Sequence, residues 1–114
     1  ATSPAMEYRD AFLQLTGKVE SVNTNLVNRA IDSPNLVGAV ATPVCHLFGL
    51  WALAYMWIRM ADAAGNTNQS SDFIGGKLKT ARFFYSFCLP EADLLVTRFN
   101  EGCSIPMSLA EAEF

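Results

Sequence analysis

One uninterrupted apolar stretch limits what this chain can fold into. Residues 36–64 read LVGAVATPVCHLFGLWALAYMWIRMADAA, and no Asp, Glu, Lys or Arg occurs from Ser33 to Ile58. Apolar residues recur there in steps of three and four, on one helical face, at Leu36, Val40, Val44, Leu47, Trp51, Ala54 and Ile58. A second apolar face follows through Val37, Ala41, Phe48 and Tyr55. A helix that is apolar on both faces is either a central core helix or a membrane span.

We interpret residues 36–64, the central stretch, as a core helix. It is rich in small residues, which let neighbouring helices approach closely, and it also contains Pro43 and His46. The segments before and after it present one-sided apolar stripes that need a partner, and a central apolar helix supplies one. The first thirty residues are amphipathic and charged, unlike a signal peptide. A membrane span stays open as the alternative, because small residues also suit helix contacts in lipid.

Two further helices are predicted, one on each side of the central stretch. Before it, the spacing 4-3-4-3-4 joins Tyr8, Phe12, Leu15, Val19, Val22 and Leu26. After it, the spacing 4-3-4-3-4-3-4 joins Ile74, Leu78, Ala81, Tyr85, Cys88, Ala92, Leu95 and Phe99. The predicted helices cover about residues 4–31, 34–64 and 72–101, followed by a tail over residues 102–114.

These helices predict one all-α domain, an up-down antiparallel helical bundle of three long helices, because short turns join antiparallel neighbours. The apolar register runs through Pro90 without a slip, so we expect the third helix to bend there. A break at Leu89 is the alternative, and it would raise the count to four helices.

Charge and cysteine content exclude several classes of protein. With a net charge of −3 and no basic patch, the 114 residues lack the footprint of a nucleic-acid-binding protein. The odd number of cysteines, three, and the lack of a CxxC pair argue against a disulfide framework and a zinc site. Unpaired cysteines are typical of a reducing compartment, so we expect a cytoplasmic protein.

No arrangement of residues predicts catalysis. Cys45 and His46 are adjacent, and neighbouring residues on a helix point about 100° apart, so they do not face each other. Glu91 and Asp93 diverge for a similar reason. The chain contains no GxGxxG or GxxxxGK[ST] loop. We therefore predict no catalytic, cofactor-binding or metal-binding residue.

Surplus aromatic residues instead predict an interaction surface. The aromatic cluster of the third helix surrounds the helix, so part of it would be exposed on a lone bundle. The same argument applies to the aromatics of the second helix. The candidate interface residues are Trp51, Tyr55, Trp57, Phe83, Phe84, Phe87 and, among the charged residues, Arg82.

Three strings resemble a known family. KLKTARFFYSFCLPEADLLV, residues 77–96, resembles the C-terminal helical extension of a bacterial branch of the acyl-CoA dehydrogenases. HLFGLWALAYMWIRMA, residues 46–61, resembles the middle helix of that extension, and SLAEAEF, residues 108–114, its habitual chain end. The resemblance covers about residues 36–114. Over the first helix only the pattern and the position agree.

The resemblance implies a parent flavoenzyme that oxidises an acyl-CoA thioester to the 2,3-enoyl-CoA. In that family a glutamate is the base and FAD accepts the hydride, and both belong to the main dehydrogenase body. No position here matches the catalytic glutamate motif. The chain would then be an excised C-terminal domain that packs on the catalytic domains or a neighbouring subunit, in a homo-oligomer and away from membranes. The alternative is a free-standing helical oligomerisation or adaptor module without catalysis.

Overall fold

The long segments of the chain fold as helices joined by short turns. The computed structural model describes residues 4–103. Its elements are a 3-10 turn at Pro4–Tyr8, then α1 (Arg9–Asp32), α2 (Pro34–Gly65), α3 (Ser71–Phe83), a π-helical turn (Phe84–Cys88) and α4 (Glu91–Gly102). No strand occurs among these residues, and the predicted all-α helical bundle is confirmed. The predicted tail lies outside the described residues from position 104 onward.

Local sequence sets the helix ends. A single residue, Ser33, separates α1 from α2, and Pro34 takes the first helical position, where its missing N–H costs no bond. The N–H of Leu36 donates to the Ser33 carbonyl at 3.0 Å. The Ser70 hydroxyl caps α3 by accepting from the N–H of Phe73 at 3.2 Å. These two joints turn the chain back on itself twice.

The core lies where the other helices meet one face of α2. In the described part of the chain, α2 contacts α1, α3, α4 and the 3-10 turn, whereas α1 and α4 contact each other much less. The predicted stripes point into this core. Its most deeply buried large side chains are Leu15, Val40, Leu47 and Leu95. α2 is therefore the common partner of the other elements.

The opposite side of α2 is open. Val37 and Tyr55 of the second apolar face are 42% and 45% exposed, and only 22% of the residues in the most apolar window of α2 are buried. The molecule measures only 16 Å across its thinnest direction, which is too thin to enclose a helix about 10 Å wide on all sides. By length and composition alone, α2 is also long and apolar enough to cross a membrane.

Proline affects α2 and the third helical segment differently. α2 continues through Pro43 without a break. In the third segment, the N–H of Leu89 donates to the carbonyl of Phe84, five residues back, at 2.9 Å. Pro90 has no N–H and its ring clashes with the carbonyl four residues earlier, so the preceding turn widens. The irregularity predicted at Pro90 therefore extends over Phe84–Cys88, and α4 restarts at Glu91.

A matched pair of substitutions on α2 tests which face is core. Leu47 is 1% exposed and Leu53 is 51% exposed. We expect Leu47→Ala to lower the free energy of unfolding by about 2–5 kcal/mol, because it leaves a cavity. Leu53→Ala should change it by less than about 0.5 kcal/mol. Urea unfolding followed by circular dichroism measures both, and equal effects would contradict the one-sided core.

Candidate functional site

The inner side of the π-helical turn is anchored by aromatic contacts. The hydroxyl of Tyr85 donates to the carbonyl of Ala54 on α2 at 2.7 Å, and its ring stacks on Tyr8 at 4.4 Å between centroids. Phe84 meets Tyr85 edge-on at 5.4 Å. Burial, and to a lesser extent the neighbouring Tyr8, raises the pKa of Tyr85 above its ordinary range. These contacts hold the wide turn against α2.

Phe84 was predicted as an interface residue, but the structure places it in the core. Its side chain is only 6% exposed, beside the buried Tyr85. Successive residues of a regular helix point about 100° apart. The wide turn instead buries Phe84 and Tyr85 together, so Phe84 is not available to a partner.

The outer side of the same segment carries an exposed aromatic pair. Phe83 and Phe87 are 54% and 74% exposed, and their rings stack at 5.0 Å between centroids. Large, rigid side chains of this kind are typical anchors of protein interfaces. Two predicted interface residues are thus brought together on the surface as one feature, which we call the Phe83–Phe87 pair.

Arg82 lies between the aromatic pair and the N-terminal turn. Its guanidinium contacts the carboxylate of Glu7 at 3.4 Å, and that contact raises the pKa of Arg82. A second ion pair joins Lys18 on α1 to Asp93 on α4. Exposed pairs of this kind contribute little to stability. They tie the N-terminal half to the third segment and leave most of Arg82 in water.

The aromatic residues of α2 divide between core and surface. Trp51 is half-buried, and its indole N–H donates to the hydroxyl of Thr16 at 3.0 Å. Trp57 is half-buried against the core, while Tyr55 is exposed and accepts a hydrogen bond from Arg59 at 3.0 Å. A shallow apolar groove of about 310 Å³ is lined by Phe12, Trp51, Ala52 and Tyr55. Among these predicted residues of α2, only Tyr55 is exposed, with 45% of its surface open to solvent.

The predicted surface missed two large side chains on α2. Leu53 and Met56 are each 51% exposed. The helical spacing could have found them, because it places Leu53 and Met56 away from the core positions Leu47 and Ala54. They extend the exposed apolar surface along the open side of α2.

The described residues bring few polar side chains together in clusters. Residues 4–103 contain no group of three or more His, Cys, Asp or Glu side chains that could hold a metal ion. Cys45 and His46 both lie exposed on α2. The exposed features that stand out are apolar and aromatic, and such features mark contact surfaces.

The comparisons with known proteins point to one family. A family model described as acetyl-CoA dehydrogenase C-terminal like matches residues 2–110. Comparisons with curated proteins and with solved structures each gave no significant match.

The raised pKa of Tyr85 predicts a change of stability at alkaline pH. The unfolded tyrosine titrates near pH 10, so the contribution of Tyr85 is complete below about pH 10 and declines as the pH rises towards its folded pKa. We expect Tyr85→Phe to reduce the alkaline fall in the free energy of unfolding, while the exposed control Tyr55→Phe keeps it. Urea unfolding between pH 8 and about pH 11 measures this. Identical profiles for the two variants would contradict the assignment.

Proposed function

Because the chain belongs to the acetyl-CoA dehydrogenase C-terminal-like family, we propose that it is the C-terminal accessory domain of an FAD-dependent acyl-CoA dehydrogenase. In this proposal the domain packs on the catalytic body of the enzyme or on a neighbouring subunit. The parent enzyme oxidises an acyl-CoA to the 2,3-enoyl-CoA, and the chain itself contributes stability and assembly without a catalytic residue.

The residues of this chain do not fit FAD, which we place in the catalytic body. FAD carries a pyrophosphate, which proteins commonly bind with glycine-rich loops and backbone N–H groups. Between residues 4 and 103, no residue has the positive φ that such tight loops often use, and the glycines lie within helices. The groove beside Trp51 is lined by apolar and aromatic side chains.

The observation that carries the proposal is the exposed Phe83–Phe87 pair. Two stacked phenylalanines are 54% and 74% exposed, and nothing between residues 4 and 103 covers them, so another surface is needed to bury them. Lys79, Arg82 and Glu91 lie nearby in sequence and are exposed, as expected for the polar rim of an interface. A catalytic body with an apolar recess is the partner that this pattern fits.

We also place the protein in the cytoplasm. Cys45, Cys88 and Cys103 are free thiols, which suits a reducing compartment. Cys45 is exposed and would be open to oxidation elsewhere.

The first experiment is the native size of the protein in a lysate of its source cell, detected with an antibody to this chain. We expect a soluble species several times heavier than 12.5 kDa, with flavin absorbance following it through purification. A soluble band at 12.5 kDa without flavin would contradict the proposal and support a free-standing adaptor module. Recovery only in the membrane pellet would contradict it as well.

A double substitution tests the docking surface. We expect Phe83→Ser combined with Phe87→Ser to weaken binding of the chain to its parent enzyme, truncated before this domain, by at least about tenfold. The reason is the loss of two exposed anchors with no loss of core. Calorimetric titration measures the affinity. Phe73→Ser is the matched control, because Phe73 is 47% exposed on the same segment but outside the pair.

Both variants should keep the circular dichroism melt of the unaltered chain. An equal loss of affinity in the Phe73→Ser control would assign the effect to general surface hydrophobicity and count against the pair as anchor.

A further inference from the structure

The open side of α2 carries a regular ridge. Along this side, positions spaced 4-3-4-3-4-3-4 are all exposed, and we call them the outer ridge: Gly38, Thr42, Cys45, Gly49, Ala52, Met56, Arg59 and Ala63. This is the heptad spacing of a helix that packs along another helix. Nothing in the described part of the chain covers it.

The chemistry of the outer ridge restricts its partner. It carries no carboxylate, and its one charge, Arg59, already donates to the hydroxyl of Tyr55. A Cβ built on Gly38 or Gly49 meets no atom within 4 Å, so a neighbouring backbone can come close there. The partner is therefore a helix with few charges and no carboxylate, which can come close where the ridge is small.

The ridge itself supplies that partner, and we propose that two copies of the chain pair antiparallel along α2. The two-fold axis passes between Gly49 and Ala52, so each of these residues lies opposite the other in the second copy. In this register the two large residues of the ridge, Met56 and Arg59, face smaller residues, and the remaining pairs are small against small. The opposed pairs are Gly49 with Ala52, Cys45 with Met56, Thr42 with Arg59, and Gly38 with Ala63.

Polarity matches in the same register. Arg59 of one copy meets Thr42 of the other, polar against polar. A parallel pair would set Arg59 against Arg59, a like-charge contact that disfavours it. Antiparallel packing also aligns the two helix dipoles favourably.

The size of the ridge sets the strength expected of the pair. From Gly38 to Ala63 it is roughly 38 Å long, and a contact strip about 10 Å wide buries roughly 380 Å² per copy. A standard interface buries about 800 Å² per partner. Val37, Leu53 and Tyr55 flank the ridge and are 42–51% exposed, so they enlarge the contact. We expect a reversible dimer that forms as the concentration rises.

The pairing does not rest on the proposed role in an acyl-CoA dehydrogenase. It uses α2, whereas the proposed docking on the catalytic body uses the Phe83–Phe87 pair of the third segment. Disproof of one contact therefore leaves the other proposal standing. Docking is measured against the truncated parent enzyme, whereas pairing is measured on the 114-residue chain alone.

The first test is sedimentation equilibrium of the 114-residue chain from micromolar to millimolar concentration. We expect a shift from 12.5 kDa towards twice that mass, and Gly49→Glu should weaken the pairing by at least about tenfold. Gly49 accepts a side chain without a clash, so the monomer should still fold. Gly17→Glu is the matched control, because Gly17 is also an open helical glycine but lies on α1.

Three outcomes would overturn the pairing. The first is a wild-type chain that stays monomeric over the whole range. The second is an equal effect of Gly17→Glu and Gly49→Glu. The third is a wild-type monomer that co-sediments with phosphatidylcholine vesicles in a manner abolished by Gly49→Glu, which would make the ridge a membrane surface.

A crosslink tests the register. Met56→Cys places a thiol opposite Cys45 of the second copy, and a disulfide needs Cβ atoms about 3.5–4.5 Å apart. We expect mild oxidation to yield a covalent dimer in Met56→Cys that disappears when Cys45→Ser is added. The two native Cys45 residues lie about 16 Å apart along the axis in this register, so the wild type should not crosslink through them. A Cys45–Cys45 dimer in the wild type would instead show a parallel pair and overturn the proposed arrangement.

Discussion

The packing of all other elements against one face of α2 is the interaction on which the rest of the structure depends. α1 and α4 contact each other only slightly, so neither could bury its stripe without α2 between them. Each Leu or Val side chain moved from water into this core contributes roughly 1.5–3 kcal/mol. Leu47 and Val40 of α2, both nearly inaccessible to water, lie at the centre of the cluster. An unpaired charge buried in this face of α2 would be costly, and the other helices would lose the surface on which they pack.

A second constraint comes from Pro90, which acts through the turn before it. The widened turn at Phe84–Cys88 buries Tyr85, whose hydroxyl reaches the carbonyl of Ala54 on α2. The same segment leaves Phe83 and Phe87 outside as a stacked pair. One backbone irregularity thus coincides with both the anchor of the third segment and its most exposed aromatic feature. π-helical turns inside helices are often found at functional positions.

The two proposed contact surfaces, the Phe83–Phe87 pair and the outer ridge, differ in shape. The Phe83–Phe87 pair presents two large side chains that fit an apolar recess. The outer ridge of α2 has mostly small side chains, which allow a helix to approach closely. An accessory domain that docks on its own enzyme and also pairs with its copy would link two subunits. Such a link needs no catalytic group in this chain, in keeping with the few polar groups that its described surface brings together.

The sequence by itself determined the helical segments, their joints and their buried stripes, because periodicity, capping residues and prolines act locally. It left open whether the third segment is one bent helix or two. Leu15, Val40 and Leu95 could be assigned to the core from spacing alone. The tertiary structure decided which of the two apolar faces of α2 is covered. The other helices are too few to surround α2, so they pack on one face and leave the opposite face exposed. The tertiary structure also decided the place of Phe84, since a π-helical turn shifts side-chain direction in a way that heptad spacing does not encode.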